Sequence, residues 1–215
     1  MKANRRSLLI RAGMERFSLR GYRDVSVEDI VSHCGLSVGT FYKYFPSKEV
    51  FYEQILGLIE REGIVLLDRT ISRLHSPLNK LKAIYRFIVL GVKQYPILRG
   101  VLLKDPRYRY PGMEFGAGAV GNLRRQVEAK LVEIIREGSR KGVFRPGLYH
   151  DASRMVIALL DTVIIYLDDP DVSELTDDLL VMLQRGLRRV LRLRRRDERR
   201  DRRAVGDVSD MEWEE

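Results

Sequence analysis

Cysteine is nearly absent from this chain of 215 residues, which carries only Cys34. A single thiol cannot form an intrachain disulfide, and no cluster of cysteine and histidine has the spacing of zinc ligands. The sequence therefore excludes a disulfide-stabilised scaffold, and we expect no metal site. A reducing cytoplasm is the compartment that this cysteine usage favours.

Long apolar runs and recognisable sets of catalytic residues are missing as well. The opening residues, MKANRRSLL, lack the apolar segment of a secretory signal peptide. The longest apolar stretch, residues 155–167, contains Asp161 and Thr162 and is too short to cross a bilayer. No paired carboxylates, nucleophile with a base, or phosphate-binding glycine loop occurs at a meaningful spacing. We therefore expect a cytoplasmic protein without a membrane partner, without catalytic residues and without a cofactor.

Positive charge is in excess and unevenly distributed. The chain has a formal net charge of +9, to which residues 1–48 contribute +5. Residues 188–203 contribute +7 through ten arginines and three acids, and residues 204–215 contribute −5. The long middle segment is close to neutral. A basic N-terminal region joined to a near-neutral body favours an electrostatic contact with DNA at one end.

The segment from Ser26 to Gly35 has the pattern of a short amphipathic helix. Ser26 is a good N-cap, and Glu28 and Asp29 place negative charge in the first turn, where the helix dipole favours it. The apolar residues of one helical face are Val27, Ile30, Val31 and Cys34. Gly35 supplies the left-handed conformation that ends a helix sharply.

A second short helix follows at once in residues 37–49, SVGTFYKYFPSKE. Ser37 caps it, and Phe41 and Phe45 share an inward face because four residues separate them. Gly39 is a poor helix former, and close approach to DNA is a reason to tolerate it. The two helices are typical of a helix-turn-helix whose second helix meets double-stranded DNA.

The first turn and the outward side chains of this second helix form the predicted DNA contact. Hydroxyl groups and lysines hydrogen-bond phosphates, and small residues at a helix N-terminus let the backbone approach a groove. Tyr42 and Lys48 are predicted phosphate contacts. The full predicted set is Ser37, Val38, Gly39, Thr40, Tyr42, Lys43, Tyr44 and Lys48. An ordinary polar surface on packed helices is the alternative for each.

These residues resemble the DNA-binding domain of the TetR family of bacterial transcription regulators. The matching stretches are LIRAGMERF at 9–17, GY at 21–22, SVEDIV at 26–31 and GLSVGTFYKYFPSKE at 35–49. Cys34 stands where the family usually carries alanine. The resemblance implies a homodimer that dimerises through its last two long helices and reads a near-palindromic operator.

Beyond residue 48 the pattern predicts helices joined by short breaks. The predicted helices cover residues 47–75, 76–95, 97–104, 120–141, 151–167 and 173–195, separated by proline and glycine. We therefore predict an all-α protein. It has a three-helix helix-turn-helix head in residues 1–48, a larger helical ligand-binding and dimerisation domain in 49–196, and a disordered charged tail in 197–215.

The last two predicted helices favour self-association. Residues 155–167 are apolar around nearly the whole helix, so we expect the same domain to cover one side and a partner to cover the other. The predicted interface contains Ile164, Leu180, Leu183 and Leu187. A central helix buried within a monomer is the alternative.

Aromatic residues of the body are candidates for lining an effector cavity. They are Tyr85, Phe87, Tyr95, Tyr108, Tyr110, Phe115 and Tyr166. The loop 105–121, bounded by proline and glycine, is the candidate gate. An enclosed apolar cavity favours a lipophilic or aromatic effector, and Arg107 or Arg109 would meet an acid group on it. Plain core packing is the alternative for the aromatic residues, and solvated surface for the arginines.

The sequence thus predicts a ligand-responsive transcriptional repressor that binds its operator as a homodimer and is released by a small effector. An architectural DNA-binding protein without a small-molecule effector is the alternative, and a fully packed body would favour it. The arginine-rich stretch 188–203 is either an auxiliary nucleic-acid arm or part of a solubilising tail.

Overall fold

The computed structural model describes residues 4–144 and 149–167, together with Val181 and Arg185. This part of the chain consists of eight α-helices and one 3₁₀ turn joined by loops. The helices are α1 Arg5–Arg20, α2 Val27–His33, α3 Val38–Tyr44, α4 Lys48–Ser72, α5 Pro77–Gln94, α6 Pro96–Leu102, α7 Gly118–Arg140 and α8 Tyr149–Ile165, with the 3₁₀ turn at Pro106–Tyr108. The predicted all-α fold is confirmed. Apart from Val181 and Arg185, the predicted helix 173–195 and the tail 197–215 lie outside the described residues.

The chain divides into two compact units. The first contains the residues up to 61 together with 91–124, and the second contains 62–90 together with the described residues from 125 onward. The predicted head boundary after residue 48 falls inside the first unit, which includes the first half of α4, α6 and the 3₁₀ turn. The functional division into 1–48, 49–196 and 197–215 stays a prediction.

Capping explains where α2 begins and ends. The Ser26 hydroxyl accepts the Asp29 N–H at 3.0 Å, and Asp29 Oδ2 accepts the Ser26 N–H at 2.9 Å, which completes a capping box. Hydrogen bonds from the backbone and hydroxyl of Ser26 hold the pKa of Asp29 below its usual value. Gly35 has a φ of 66°, the left-handed conformation that the sequence predicts for it.

Aromatic side chains form the core of the first unit. The fully buried rings are Phe17, Phe41, Phe45, Phe51 and Tyr52. The ring centroids of Phe45 and Phe51 lie 4.5 Å apart, and those of Phe41 and Phe51 lie 5.1 Å apart in edge-on contacts. The predicted inward orientation of Phe41 and Phe45 is confirmed, and these contacts pack α3 against α4.

An aliphatic core fills the second unit. Its buried residues include Leu67, Leu81, Ile84, Leu131 and Ile135. Glu137 of α7 accepts hydrogen bonds from Lys80 at 2.7 Å and from Lys141 at 2.8 Å. The pKa of Glu137 is lowered overall. Burial alone would raise this pKa, but the hydrogen bonds from the two lysines outweigh the effect of burial.

Candidate nucleic-acid interface and effector groove

The second helix of the helix-turn-helix, α3, is capped at its start by the Ser37 hydroxyl, which contacts a second hydroxyl group. The Ser37 hydroxyl accepts the Thr40 N–H at 3.2 Å and lies 3.0 Å from the Thr40 hydroxyl. The cap satisfies an amide donor that the first turn of any helix leaves unpaired. Both hydroxyls therefore sit at the N-terminus of α3, the end that contacts base edges in helix-turn-helix proteins.

The predicted DNA-contact residues of α3 differ in exposure. Ser37, Gly39, Tyr42 and Lys43 are exposed, and Val38, Thr40 and Tyr44 are partly buried. The Tyr42 side chain is 53% exposed, and its ring meets Phe41 edge-on at a centroid distance of 5.3 Å. The exposed hydroxyl and ammonium groups of Ser37, Tyr42 and Lys43 suit contacts with phosphates.

Gly39 faces open space. A Cβ built there would meet one atom within 4 Å, the Ser37 hydroxyl oxygen at 4.0 Å. Gly13 differs, because a Cβ there would lie 2.4 Å from the Phe51 ring. Packing within the protomer thus accounts for Gly13 and does not account for Gly39, although glycine weakens a helix by about 1 kcal/mol relative to alanine.

Lys48 begins α4 with its ammonium group directed at the α1–α2 loop. Its Nζ donates to the Tyr22 carbonyl at 3.0 Å and to the Val25 carbonyl at 2.8 Å, and it lies 4.0 Å from the centroid of the Tyr22 ring. Partial burial lowers the pKa of this ammonium group. Two of its three N–H groups are used within the chain, and its predicted contact with a phosphate stays a prediction.

Tyr22, to which the sequence pattern assigns no role, makes a second contact with the start of α4. Its hydroxyl donates to Glu49 Oε1 at 2.5 Å. Burial, and then the hydrogen bond to Glu49, raise the pKa of Tyr22, and the same hydrogen bond lowers the pKa of Glu49. A lone tyrosine after a helix-ending glycine gives no sequence signal for this contact.

Arg6 of α1 supports α3 from its C-terminal side. One guanidinium N–H donates to Gln54 Oε1 at 2.7 Å, and the guanidinium carbon lies 5.5 Å from the centroid of the Phe45 ring. Sequence spacing cannot predict this contact, because 48 positions separate Arg6 from Gln54.

Residues 105–110, which contain the 3₁₀ turn, are hydrogen-bonded to α1 and α4. The Tyr108 hydroxyl donates to the Ser18 carbonyl at 3.0 Å, and the Tyr52 hydroxyl donates to the Tyr108 carbonyl at 2.9 Å. Tyr108 also packs on Gly100, where a Cβ would lie 2.2 Å from its ring. The first part of the predicted gate is therefore anchored in the same unit as α3.

A groove of about 400 Å³ borders this segment within the first unit. Its lining includes the buried apolar residues Leu56, Met113 and Val120 and the polar residues Glu53, Tyr110 and Glu114. The Tyr110 hydroxyl donates to Glu53, and burial together with this hydrogen bond raises the pKa of Tyr110 to about 12. The volume lies within the range of small-molecule sites.

Arg107 and Arg109, the predicted anchors for an acid group, are engaged within the chain. Arg107 donates to Asp105 Oδ2 at 2.7 Å, and this pairing raises the pKa of Arg107 and lowers that of Asp105. Arg109 donates to the Met113 carbonyl at 2.8 Å and lies 5.9 Å from the centroid of the Phe115 ring. An acidic effector would have to replace these contacts and approach the two carboxylates that line the groove.

The seven aromatic residues predicted to line one cavity are spread over both units. Tyr95, Tyr108, Tyr110 and Phe115 belong to the first unit, and Tyr85, Phe87 and Tyr166 belong to the second. Tyr110 lines the groove, Tyr95 is partly buried, and Tyr85 and Phe87 are buried. Tyr166 follows the end of α8 with its side chain 51% exposed, and its place in a cavity stays a prediction.

One face of α8 is buried and the other is exposed. The buried face carries Val156, Leu160, Val163 and Ile164, whereas Met155 is 66% exposed. The sequence pattern predicts Ile164 at the dimer interface, but it lies on the inward face with 3% of its surface exposed in the protomer, so this assignment is corrected. The other predicted interface residues, Leu180, Leu183 and Leu187, lie outside the described residues.

Two further observations concern the part of the chain that the structure describes. It contains no group of three or more histidine, cysteine, aspartate or glutamate residues that could hold a metal ion. None of its helices is both long enough and apolar enough to span a membrane.

Comparison with known proteins places this geometry in a family. Residues 9–55, which contain most of α1, all of α2 and α3, and the start of α4, match the model of bacterial regulatory proteins of the tetR family. Transcriptional regulator AcuR of Cereibacter sphaeroides is 30% identical over 134 residues, which are 62% of this chain and 57% of AcuR. The repressor KstR2 of Mycolicibacterium smegmatis is 26% identical over 149 residues, 68% of this chain and 70% of KstR2. The chain thus spans less than two thirds of AcuR.

Solved structures share the fold over most of the chain. FadR from Bacillus subtilis, in complex with stearoyl-CoA, superposes with a TM-score of 0.69 at 20% identity, covering 84% of this chain and 98% of FadR. AibR, in complex with isovaleryl coenzyme A and operator DNA, superposes with a TM-score of 0.62 at 17% identity, covering 86% of this chain and all of AibR. These identities show a common fold alone. Residues 9–55 thus match the DNA-binding domain of the tetR family of bacterial regulatory proteins, and the chain shares the fold of the compared regulators.

Proposed function

We propose that the protein is a transcriptional repressor that binds a near-palindromic operator as a homodimer and is released by a small lipophilic or aromatic effector. The description of its relative KstR2 as a repressor supports the direction of regulation. The presence of operator DNA in the AibR structure supports the kind of DNA site.

The proposal that the protein binds DNA through α3 rests on the open space at Gly39. A helix that needs no glycine for its own packing retains one at its exposed N-terminal turn. A duplex that approaches the backbone supplies the reason, because a side chain there would keep the helix out of the groove. Ser37, Tyr42 and Lys43 then face phosphates, while Val38, Thr40 and Tyr44 complete the contact.

The exposed face of α8 supports the homodimer. Met155, Ala158, Thr162 and Tyr166 recur at a spacing of three to four residues on its exposed side. A stripe with two large apolar side chains at that spacing favours a second helix as its cover. A second copy of the chain meets this need and would supply the second α3 helix that a near-palindromic operator requires.

The groove of the first unit supports the effector. Its buried apolar residues suit an acyl chain or an aromatic ring, and Glu53, Tyr110 and Glu114 offer polar anchors. FadR and AibR were crystallised with stearoyl-CoA and isovaleryl coenzyme A, so compounds with an acyl chain are the first to test. A ligand that hydrogen-bonds the Glu53 carboxylate would break the hydrogen bond from the Tyr110 hydroxyl to Glu53. The centroid of the Tyr110 ring lies 5.6 Å from that of the Tyr22 ring.

Selection of duplexes from a random-sequence pool tests the DNA-binding part. We expect enrichment of one near-palindromic sequence, and we expect Tyr42→Ala and Lys43→Ala to weaken binding to all duplexes while leaving thermal stability unchanged. Recovery of duplexes without a common sequence would favour the architectural alternative.

A thermal-shift screen of acyl-CoA, fatty acid and aromatic compounds tests the effector. A ligand present at a hundredfold its dissociation constant stabilises its site by about 2.7 kcal/mol. The hit should release selected DNA, and Ala117→Trp, which fills the groove, should abolish both effects while preserving DNA affinity. If no compound stabilises the protein, or if Ala117→Trp leaves the response intact, the groove is not the effector site.

A further inference from the structure

We infer that His33 is a positioning residue of the helix-turn-helix. As a neutral imidazole it joins two side chains of α1, Glu15 and Arg16, and so fixes the end of α2, from which the chain turns into α3. The inference rests on the proposed function, because it assigns a role to a residue of the DNA-binding unit.

The ring of His33 lies between these two side chains. Arg16 Nη2 lies 2.8 Å from His33 Nδ1, and Glu15 Oε2 lies 2.5 Å from His33 Nε2. A guanidinium group can only donate hydrogen bonds, and an ionised carboxylate can only accept them. The ring must therefore accept at Nδ1 and donate at Nε2, which requires a neutral imidazole with its proton on Nε2. We call this arrangement of Glu15, Arg16 and His33 the relay.

A cationic His33 is the alternative, because positive charge suits the last turn of a helix. The other charged groups near the ring are Arg20, paired with Asp29 at 3.6 Å, and Glu28, which borders the same surface hollow as His33. A proton on Nδ1 would point at an N–H group of Arg16, so the 2.8 Å hydrogen bond would be lost and two positive groups would meet. The contact with Arg16 therefore decides in favour of the neutral ring.

The relay holds α2 at the point where the chain turns toward α3. His33 is the last residue of α2, and residues 34–37 separate it from the first residue of α3. The buried residues Ile30 and Val31 attach one face of α2 to the core, and the relay adds directional hydrogen bonds at its C-terminal end. Base contacts depend on the placement of α3 more than phosphate attraction does. Opening the relay should therefore reduce specificity more than it reduces affinity for arbitrary sequences.

Nuclear magnetic resonance of the unchanged protein tests the relay without DNA. At about pH 8, above the ordinary imidazole pKa of about 6.5, we expect a scalar coupling across the hydrogen bond between the Arg16 and His33 side-chain nitrogens. We also expect the nitrogen chemical shifts of a ring with an unprotonated Nδ1 and a protonated Nε2. Absence of the coupling, or a proton on Nδ1, would overturn the inference.

His33→Gln and His33→Lys separate the relay from a cationic role. The quantity compared is the specificity ratio, which is the affinity for a selected duplex divided by that for a shuffled duplex of the same composition. Glutamine offers an acceptor and a donor like the neutral ring, so the ratio should stay within about twofold of that of the unchanged protein. Lysine keeps a positive charge but offers Arg16 no acceptor, so the ratio should fall about tenfold.

Arg20→Met is the matched control for these variants. It removes the exposed pair of Arg20 and Asp29, which joins α1 to α2 about one turn away from the relay. Exposed ion pairs of this kind contribute little to stability. The specificity ratio of Arg20→Met should therefore equal that of the unchanged protein, and amide hydrogen exchange at the end of α2 should be faster in His33→Lys alone.

The slope of log affinity against log salt concentration gives an independent check. His33→Gln removes no charge from a neutral ring, so the slope should be unchanged, whereas loss of a cation that neutralises a phosphate would flatten it by about 0.9. A flatter slope would overturn the inference, as would equal specificity ratios for His33→Gln and His33→Lys. Failure of the unchanged protein to select any duplex would instead contradict the proposed function, and the magnetic resonance measurement would still decide whether the relay forms.

Discussion

The hydroxyl of Tyr52 donates a 2.9 Å hydrogen bond to the carbonyl of Tyr108 in the interior of the first unit. Burial raises the pKa of Tyr52, so the hydroxyl stays protonated and remains a donor at any physiological pH. Tyr52 lies on α4, four residues after Lys48, and Tyr108 ends the 3₁₀ turn beside the groove. This bond connects the segment that borders the proposed effector site to the helix that follows α3.

Tyr52→Phe should destabilise the protein by about 1–3 kcal/mol, because it leaves the buried Tyr108 carbonyl without its donor. Urea unfolding followed by circular dichroism measures the loss. Tyr42→Phe removes a hydroxyl from an exposed ring and serves as the control, with no change expected in the midpoint. Equal midpoints for Tyr52→Phe and the unchanged protein would mean that the bond contributes nothing to stability.

Glu49 should make stability fall in acid. The hydrogen bond from Tyr22 lowers the pKa of Glu49 below 4.5 in the folded state. Its contribution is therefore complete above pH 4.5 and is lost as the pH falls through the folded-state pKa. Glu49→Gln should be less stable near neutral pH and should decline less steeply below that value. Unfolding midpoints measured along a pH series check this, and parallel curves for the two proteins would contradict it.

Local signals predicted the helix-turn-helix well. Ser26, Gly35 and Ser37 mark helix ends through their own backbone and hydroxyl chemistry, and the spacing of Phe41 and Phe45 fixes the buried side of α3. Each of these signals depends on residues a few positions apart, and the structure confirms them.

Contacts between distant residues could not be predicted. Lys48 is an example, because the carbonyls that accept its hydrogen bonds belong to residues 23 and 26 positions away, and no local pattern indicates them. Ile164 and Tyr166 illustrate a second limit. An all-apolar helix does not indicate which of its faces the protomer buries, and the structure assigns them to opposite environments.

Met155→Asp should dissociate the proposed homodimer without unfolding the protomer, because a carboxylate buried in an apolar interface is costly and an exposed one is not. Val65→Asp is the matched control, since Val65 is a similarly exposed apolar residue, at 62%, on α4. Sedimentation velocity at micromolar concentration measures both variants. A monomeric unchanged protein, or a dimer that survives Met155→Asp, would remove α8 from the interface.

Gly39→Ala tests the central claim, that the N-terminal turn of α3 approaches DNA, most directly. Alanine at this open position should stabilise the helix by up to about 1 kcal/mol, and we expect it to weaken binding to the selected duplex by about tenfold or more. Gly57→Ala gains the same helix propensity on α4, where its methyl group meets only the flexible end of Arg61 at 3.3 Å. The measurement is duplex affinity by fluorescence anisotropy beside the urea midpoint, for both variants. We predict that Gly39→Ala is more stable and binds DNA weakly while Gly57→Ala binds normally; a stabilised Gly39→Ala that binds the duplex as tightly as the unchanged protein would contradict the account.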